Sequence, residues 1–187
     1  GLELHVSTQA STTNWHTVQM WKELGATRVV AAREVSLADL KEMKDHVDIE
    51  IESFVHGSMC ISYSGRCLLS NYMTGNRDAN RGQCSQSCRW KYSLVESNRP
   101  GEYYPIEEDE HGTYIFNSKD LCLIHRIPDL YEAGIDSLKI EGRMKSVHYC
   151  ATVAKVYRTA IDTYLKEGKD WYVRPEWIAE LEKISHR

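Results

Sequence analysis

Hydrophobic and polar positions along the first 57 residues follow two rhythms in turn. LELHVST (2–8) reads as a short strand. In NWHTVQMWKELG the apolar residues take helical spacing, with Val18, Trp21 and Leu24 on one face and Gly25 as the stop. TRVVAARE then reads as a buried strand. Ser36 opens a second helix, SLADLKEMKDH, with Asp39 where a capping box wants an acid. DIEIESFVHG is a third strand, with Ile49, Ile51 and Phe54 or Val55 facing apolar neighbours.

From Ser58 to about Gly112 no clean period exists, and Gly, Ser, Asn and Cys are frequent. A stretch this long without a period, inside a compact domain, points to function. The rhythm returns with TYIFNSKDL as a strand, IPDLYEAG as a short helix and DSLKIE (136–141) as a strand. The segment VHYCATVAKVYRTAIDTYLKEG predicts a long helix with Val147, Cys150, Ala151, Ala154, Tyr157, Ile161 and Leu165 near one face, and EWIAELEKI a last helical piece.

Alternating strands and helices predict a parallel α/β sheet with right-handed crossovers. The pattern fits a small open sheet or half of a (β/α)₈ barrel. It divides the chain into β/α units at 1–57, a cysteine-rich insertion at 58–112, and further β/α units with C-terminal helices at 113–187. Polar residues gather just after the strands: Ser7 and Gln9, Arg33 and Glu34, His56, Asn117 to Asp120, then Glu141 and Arg143. Ligand sites in both architectures lie at that edge.

Charge changes this picture locally. With 23 Lys and Arg against 27 Asp and Glu, net charge −4, the chain is no globally basic coat for nucleic acid. Between Cys60 and Tyr92, however, Arg66, Arg77, Arg81, Arg89 and Lys91 face a single acid, Asp78, and the next segment, 96–110, is strongly acidic. No run long enough for a membrane span and no signal-peptide pattern at the start is visible, so a cytoplasmic protein with no membrane partner is expected.

In that compartment clustered cysteines point to metal or catalysis more than to disulfides. Cys60-x6-Cys67-x16-Cys84-x3-Cys88, then Cys122 and Cys150, matches neither a compact ferredoxin run nor paired zinc knuckles. Spacing alone leaves metal binding, buried thiols and disulfides open, with plain packing expected for Cys150. His56, four residues before Cys60, is a candidate catalytic base or ligand. Glu141 and Lys119 are further catalytic candidates. Arg143 and Lys145, with Asn117 and Gln9, could hold a small anion. Arg77, Arg81 and Arg89, interleaved with aromatics, are candidate RNA contacts.

HGSMCISYSGRCLLSNYMTGNRDANRGQCSQSCRWKY, YIFNSKDLCLI and AGIDSLKIEGRMKS together resemble the collagenase-like peptidase family U32 over most of the chain. They are most similar to its tRNA-hydroxylating subgroup. The resemblance implies a (β/α)₈-type barrel of which this chain is the second half. It implies prephenate-dependent 5-hydroxylation of wobble uridine, with tRNA and a small anionic co-substrate as partners. It also implies a 4Fe–4S cluster on Cys60, Cys67, Cys84 and Cys122, with Cys88 competing for the fourth place. A half barrel predicts pairing with the missing half or with a second copy. Two rival expectations stand beside this one. The first is a peptidase using His56 and Cys60, although no Ser–His–Asp set or HExxH motif is present. The second is a zinc-stapled RNA-binding module.

Overall fold

A computed structural model describes residues 1–90, 92–105 and 119–184. The chain runs β1 (His5–Val6), α1 (Trp15–Glu23), β2 (Arg28–Val30), α2 (Leu37–His46) and β3 (Glu50–Ser58). It continues with α3 (Leu69–Thr74), the short β4 (Ser93–Leu94) and β5 (Tyr104–Pro105), and β6 (Asp120–Cys122). It closes with α4 (Ile127–Glu132), β7 (Ser137–Glu141), α5 (Val147–Glu167) and α6 (Pro175–Glu182). β1, β2, β3 and β7 form a parallel sheet in that spatial order. The chain is therefore α/β, as the alternation predicts.

One strand departs from expectation. β6 was read as a parallel member, but it pairs antiparallel with the end of β3, His56 opposite Cys122 and Ser58 opposite Asp120. It can do so because β3 is nine residues long and outruns β2, leaving Val55 to Ser58 free to pair. Residues 113–118 of the predicted strand, Asn117 among them, lie outside the described residues.

The sheet has two unlike faces, as period-two alternation requires. Val29, Ile49 and Ile51 pack with Val18, Leu40 and Met43 of α1 and α2. Val55, Leu138 and Ile140 pack with Leu130, Tyr149, Val153, Tyr157 and Trp177 of α4, α5 and α6. The opposite face carries charge. Arg28 bonds Glu50 at 2.6 Å, and Glu52 takes Lys139 at 2.9 Å and the Ser137 hydroxyl at 2.8 Å.

Local signals fix the helix ends. Ser36 and Asp39 form the expected reciprocal capping box, and the Ser146 hydroxyl accepts from the Tyr149 N–H at the start of α5. The buried face of α5 is Tyr149, Val153, Val156, Tyr157 and Ala160. The predicted face was rotated from this one: Val147, Cys150 and Leu165 are exposed, and Cys150 is no core residue. Tyr149 drives the rotation by going fully under cover, where burial pushes its phenol up to about 12. Leu24 likewise leaves the α1 face and becomes its exposed C-terminal cap.

Candidate functional site

The Cys60–Cys67 loop docks on the end of β2 through Ser64, which is buried. Its N–H and hydroxyl donate to the Glu34 carboxylate at 3.2 and 2.9 Å, and its hydroxyl accepts from the Arg33 N–H at 3.1 Å. Gly65 follows at φ +73°, pressed on the Gln9 carbonyl so closely that a side chain would overlap it. Gly57, at φ +103°, makes the same kind of approach to the Glu141 backbone and lets β3 and β7 close on each other past a bulge.

A second strap fastens the far end of the segment. Gln86, in the left-handed region, turns the chain into the Ser87–Arg89 turn. Arg89 then reaches Asp120 at 2.5 Å and the Met59 carbonyl at 3.3 Å, and Lys145 approaches the same carboxylate at 3.4 Å. Asp120 is only 6% exposed, so two cations and one carboxylate share a nearly dry site. Between the straps, the Ser70 and Ser85 hydroxyls pair at 3.1 Å.

Together these contacts enclose a cavity of about 440 Å³ at the carboxyl edge of the sheet. Cys60, Cys67, Cys84 and Cys88 line it, with Gln9, Arg33, Arg81, Lys139, Glu141 and Arg143. Burial pushes the Cys60 thiol up, opposed by the Arg33 guanidinium, and burial also pushes Cys88 up. Among the described residues no three His, Cys, Asp or Glu side chains gather tightly enough to hold a metal ion. All four thiols line this cavity.

Eight of the residues predicted for the site meet in this cavity: Gln9, Cys60, Cys67, Arg81, Cys84, Arg89, Glu141 and Arg143. Others do not. Cys122 stands on β6, exposed, with its sulfur 4.0 Å from the Tyr157 hydroxyl. His56 is buried among the rings of Tyr149 and Tyr157, at 6.0 and 5.5 Å, and does not line the cavity. Its placement follows from the bulge in β3, which turns it toward the helices. Lys145 does not line the cavity and pairs with Asp120, the carboxylate that Arg89 also holds. Lys119 is exposed beside Asp120, and Arg77 donates to the Gln83 carbonyl on an exposed turn. Asn117 lies outside the described residues.

Arg33 and Lys139 were not among the predicted site residues, although both line the cavity. The signal for Arg33 was its position after β2. Lys139 carried none, because a cation inside DSLKIE looks like the exposed half of an alternating strand.

Comparison with known proteins decides the family. The sequence profile of peptidase family U32 matches residues 1–187. The chain belongs to this family. It is 53% identical to tRNA hydroxylation protein P1 of Bacillus subtilis (strain 168), covering 100% of this chain and 44% of that one. It is 43% identical to tRNA hydroxylation protein P of Escherichia coli (strain K12), covering 100% and 49%. It is 35% identical to the 23S rRNA 5-hydroxycytidine C2501 synthase of the same strain, covering 90% and 25%. The chain thus spans about half the length of the tRNA hydroxylation relatives it matches, or less. No solved structure matches it. No helix among the described residues is long and apolar enough to cross a membrane.

Proposed function

We propose that this chain is the cysteine-bearing part of an RNA hydroxylase that places a 5-hydroxyl on the wobble uridine of tRNA, in the cytoplasm, with prephenate as co-substrate. The observation that carries this reading is the cavity where four thiols meet five cations, in a U32 chain whose relatives are named for RNA hydroxylation.

Four thiols lining one cavity form a donor set that fits a 4Fe–4S cluster. Cys60, Cys67 and Cys84 would hold it. Two thiols compete for the fourth place: Cys122, favoured by the family-like spacing, and Cys88, which lines the cavity. Bound there, the cluster supplies electron-transfer chemistry. The chain's own residues do the rest. Arg143 offers a cation, and Gln9 an amide, to a carboxylate at the cavity wall, beside Lys139 in its ion pair with Glu52. Arg81, with its side chain 83% exposed at the cavity, and Arg77 on the neighbouring turn offer charge to RNA phosphate.

The charged sheet face would turn inward, as in a (β/α)₈ barrel, and meet the remaining units of a longer chain or a second copy. A peptidase built on His56 and Cys60 gains nothing from the geometry, because the imidazole is packed among tyrosine rings away from the cavity.

Two measurements test the reading. Iron and acid-labile sulfide are quantified in anaerobically purified full-length protein, for the wild type and for Cys→Ser variants at positions 60, 67, 84, 88 and 122. About four irons per chain, lost in the first three variants and in one of the last two, is expected. A colourless protein with stoichiometric zinc would favour the staple. Mass spectrometry of tRNA from a deletion strain must show loss of the wobble 5-hydroxyl; unchanged hydroxylation would refute the assignment.

A further inference from the structure

Among the described residues, Arg33 is the cation that touches both a thiol and the polar wall of the cavity, and neither the family resemblance nor the motifs assign it a task. Its side chain is 10% exposed. One terminal nitrogen donates to the Cys60 sulfur at 3.4 Å, the other stands 3.7 Å from the Glu141 carboxylate, and the guanidinium lies 4.1 Å over the Phe54 ring. Its Nε–H is buried with no acceptor. Its own backbone N–H is tied to Ser64, so the guanidinium and the loop carrying Cys60 are positioned together. A surface arginine kept for solubility would hold neither its aromatic stack nor an unsatisfied buried N–H.

We propose that Arg33 is a positioning residue that hydrogen-bonds the Cys60 sulfur when that sulfur ligates the cluster, and thereby raises the cluster's reduction potential. The inference rests on the cluster reading above. Its physical basis is general: hydrogen bonds to cluster sulfurs, and net charge nearby, set iron–sulfur potentials. Taking up one electron makes the cluster more negative, and a fixed cation 3.4 Å from a ligand sulfur favours that state. Glu141 screens part of the charge, so the pair holds the potential between the values either residue alone would give. Arg33 moves no proton and makes no bond in this role.

The test is a spectroelectrochemical titration of anaerobically reconstituted full-length protein, with iron counted in parallel. Arg33→Gln should keep its iron but reduce about tenfold less favourably at a given applied potential, a downward shift of about 59 mV for one electron. Arg33→Lys, which keeps the charge but not the planar fork, should fall between the two. A midpoint in Arg33→Gln equal to wild type, at equal iron content, overturns the proposal and leaves the cluster reading standing. If Arg33→Gln does not load iron, Arg33→Lys decides: a lowered midpoint supports the proposal and an unchanged one overturns it. A wild type that holds no iron–sulfur cluster overturns both.

Discussion

Replacing Gly65 with Ala should undock the Cys60–Cys67 loop while the helical layers stay folded. Two costs act together. At φ +73° an L side chain pays the left-handed penalty, about 1–2 kcal/mol. The added Cβ would also overlap the Gln9 carbonyl oxygen and come within 3.0 Å of its carbon, both backbone atoms that cannot rotate away. The loop must lift, and lifting breaks the two Ser64 bonds to the Glu34 carboxylate and the Arg33 N–H bond to Ser64. At about 1.5–3 kcal/mol for bonds to a charged group and about 1 for a neutral one, values already net of the water that replaces them, the contacts at stake total roughly 4–7 kcal/mol. Amide hydrogen exchange reads this directly. Protection of the Ser64 and Arg33 N–H groups should fall by about 10³-fold or more, with the Ile51 N–H, held by Asp136, little changed. Gly25→Ala is the control, because Gly25 has φ +92° and open space around it, so it isolates the backbone penalty from the clash. Unchanged Ser64 protection in Gly65→Ala would refute the docking account.

Three other outcomes follow from the same geometry. Asp120→Ala leaves Arg89 and Lys145 buried without their carboxylate and should cost about 3–5 kcal/mol, read as a lowered denaturant midpoint; a loss under 1 kcal/mol would contradict the clamp. Arg77→Ala and Arg81→Ala should each weaken tRNA binding and reduce the salt slope by about 1, whereas Arg89→Ala should show up first as lost stability; a salt slope that drops for Arg89→Ala alone would reverse these roles. Burial pushes the Glu52 carboxyl up, but hydrogen bonds from Lys139 and Ser137 and the Arg28 charge outweigh it, so its pKa is lowered. Its stabilisation is therefore fully present above the unfolded value, about 4.3, and is lost as pH falls through the lower folded value. Glu52→Gln should flatten that acid limb in pH-dependent unfolding.

What could be read from the sequence was local. Ser36 and Asp39 announce the second helix because a capping box needs only residues three apart. β2 shows as a short apolar run because it is nearly all buried, and β3 shows as alternation where exposed Glu50 and half-buried Glu52 flank buried Ile51. What could not be read depends on distant pairing. Arg89 and Lys145 look like free cations in the sequence, since Asp120, which binds both, lies 31 and 25 positions away. The direction of β6 was hidden for the same reason: nothing in DLC says that it will add to the overrun of β3. The α5 face was misjudged because small and aliphatic residues mark two adjacent stripes, and the large tyrosines decide which one goes inside. For the cavity, Gln9, Glu141 and Arg143 were legible from placement after strands, Arg81 and Arg89 from the basic segment, and three of the four thiols from the family resemblance.

The cysteine segment has an unusual interior, and this bears on what fills the cavity. Among the described residues its buried side chains are Ser58, Ser64, Ser70, Ala79, Ser85 and Ser87, while Tyr63, Leu68 and Tyr72 are exposed at 73%, 72% and 83%. Small polar groups satisfy one another but bury little apolar area, so at about 25 cal/mol per Å² the segment gains little from hydrophobic burial. It is held by the Ser64 and Arg89 straps at its ends, and between them by the serine pair and the walls of a cavity faced with thiols. A group bound by those thiols would then act as the segment's missing core, and its binding free energy would be folding free energy for this region. Loading iron into the apo-protein should accordingly protect the Ser70 and Ser85 amides from exchange while leaving β2 and β3 unaffected. Equal protection with and without iron would mean that the straps alone order the segment.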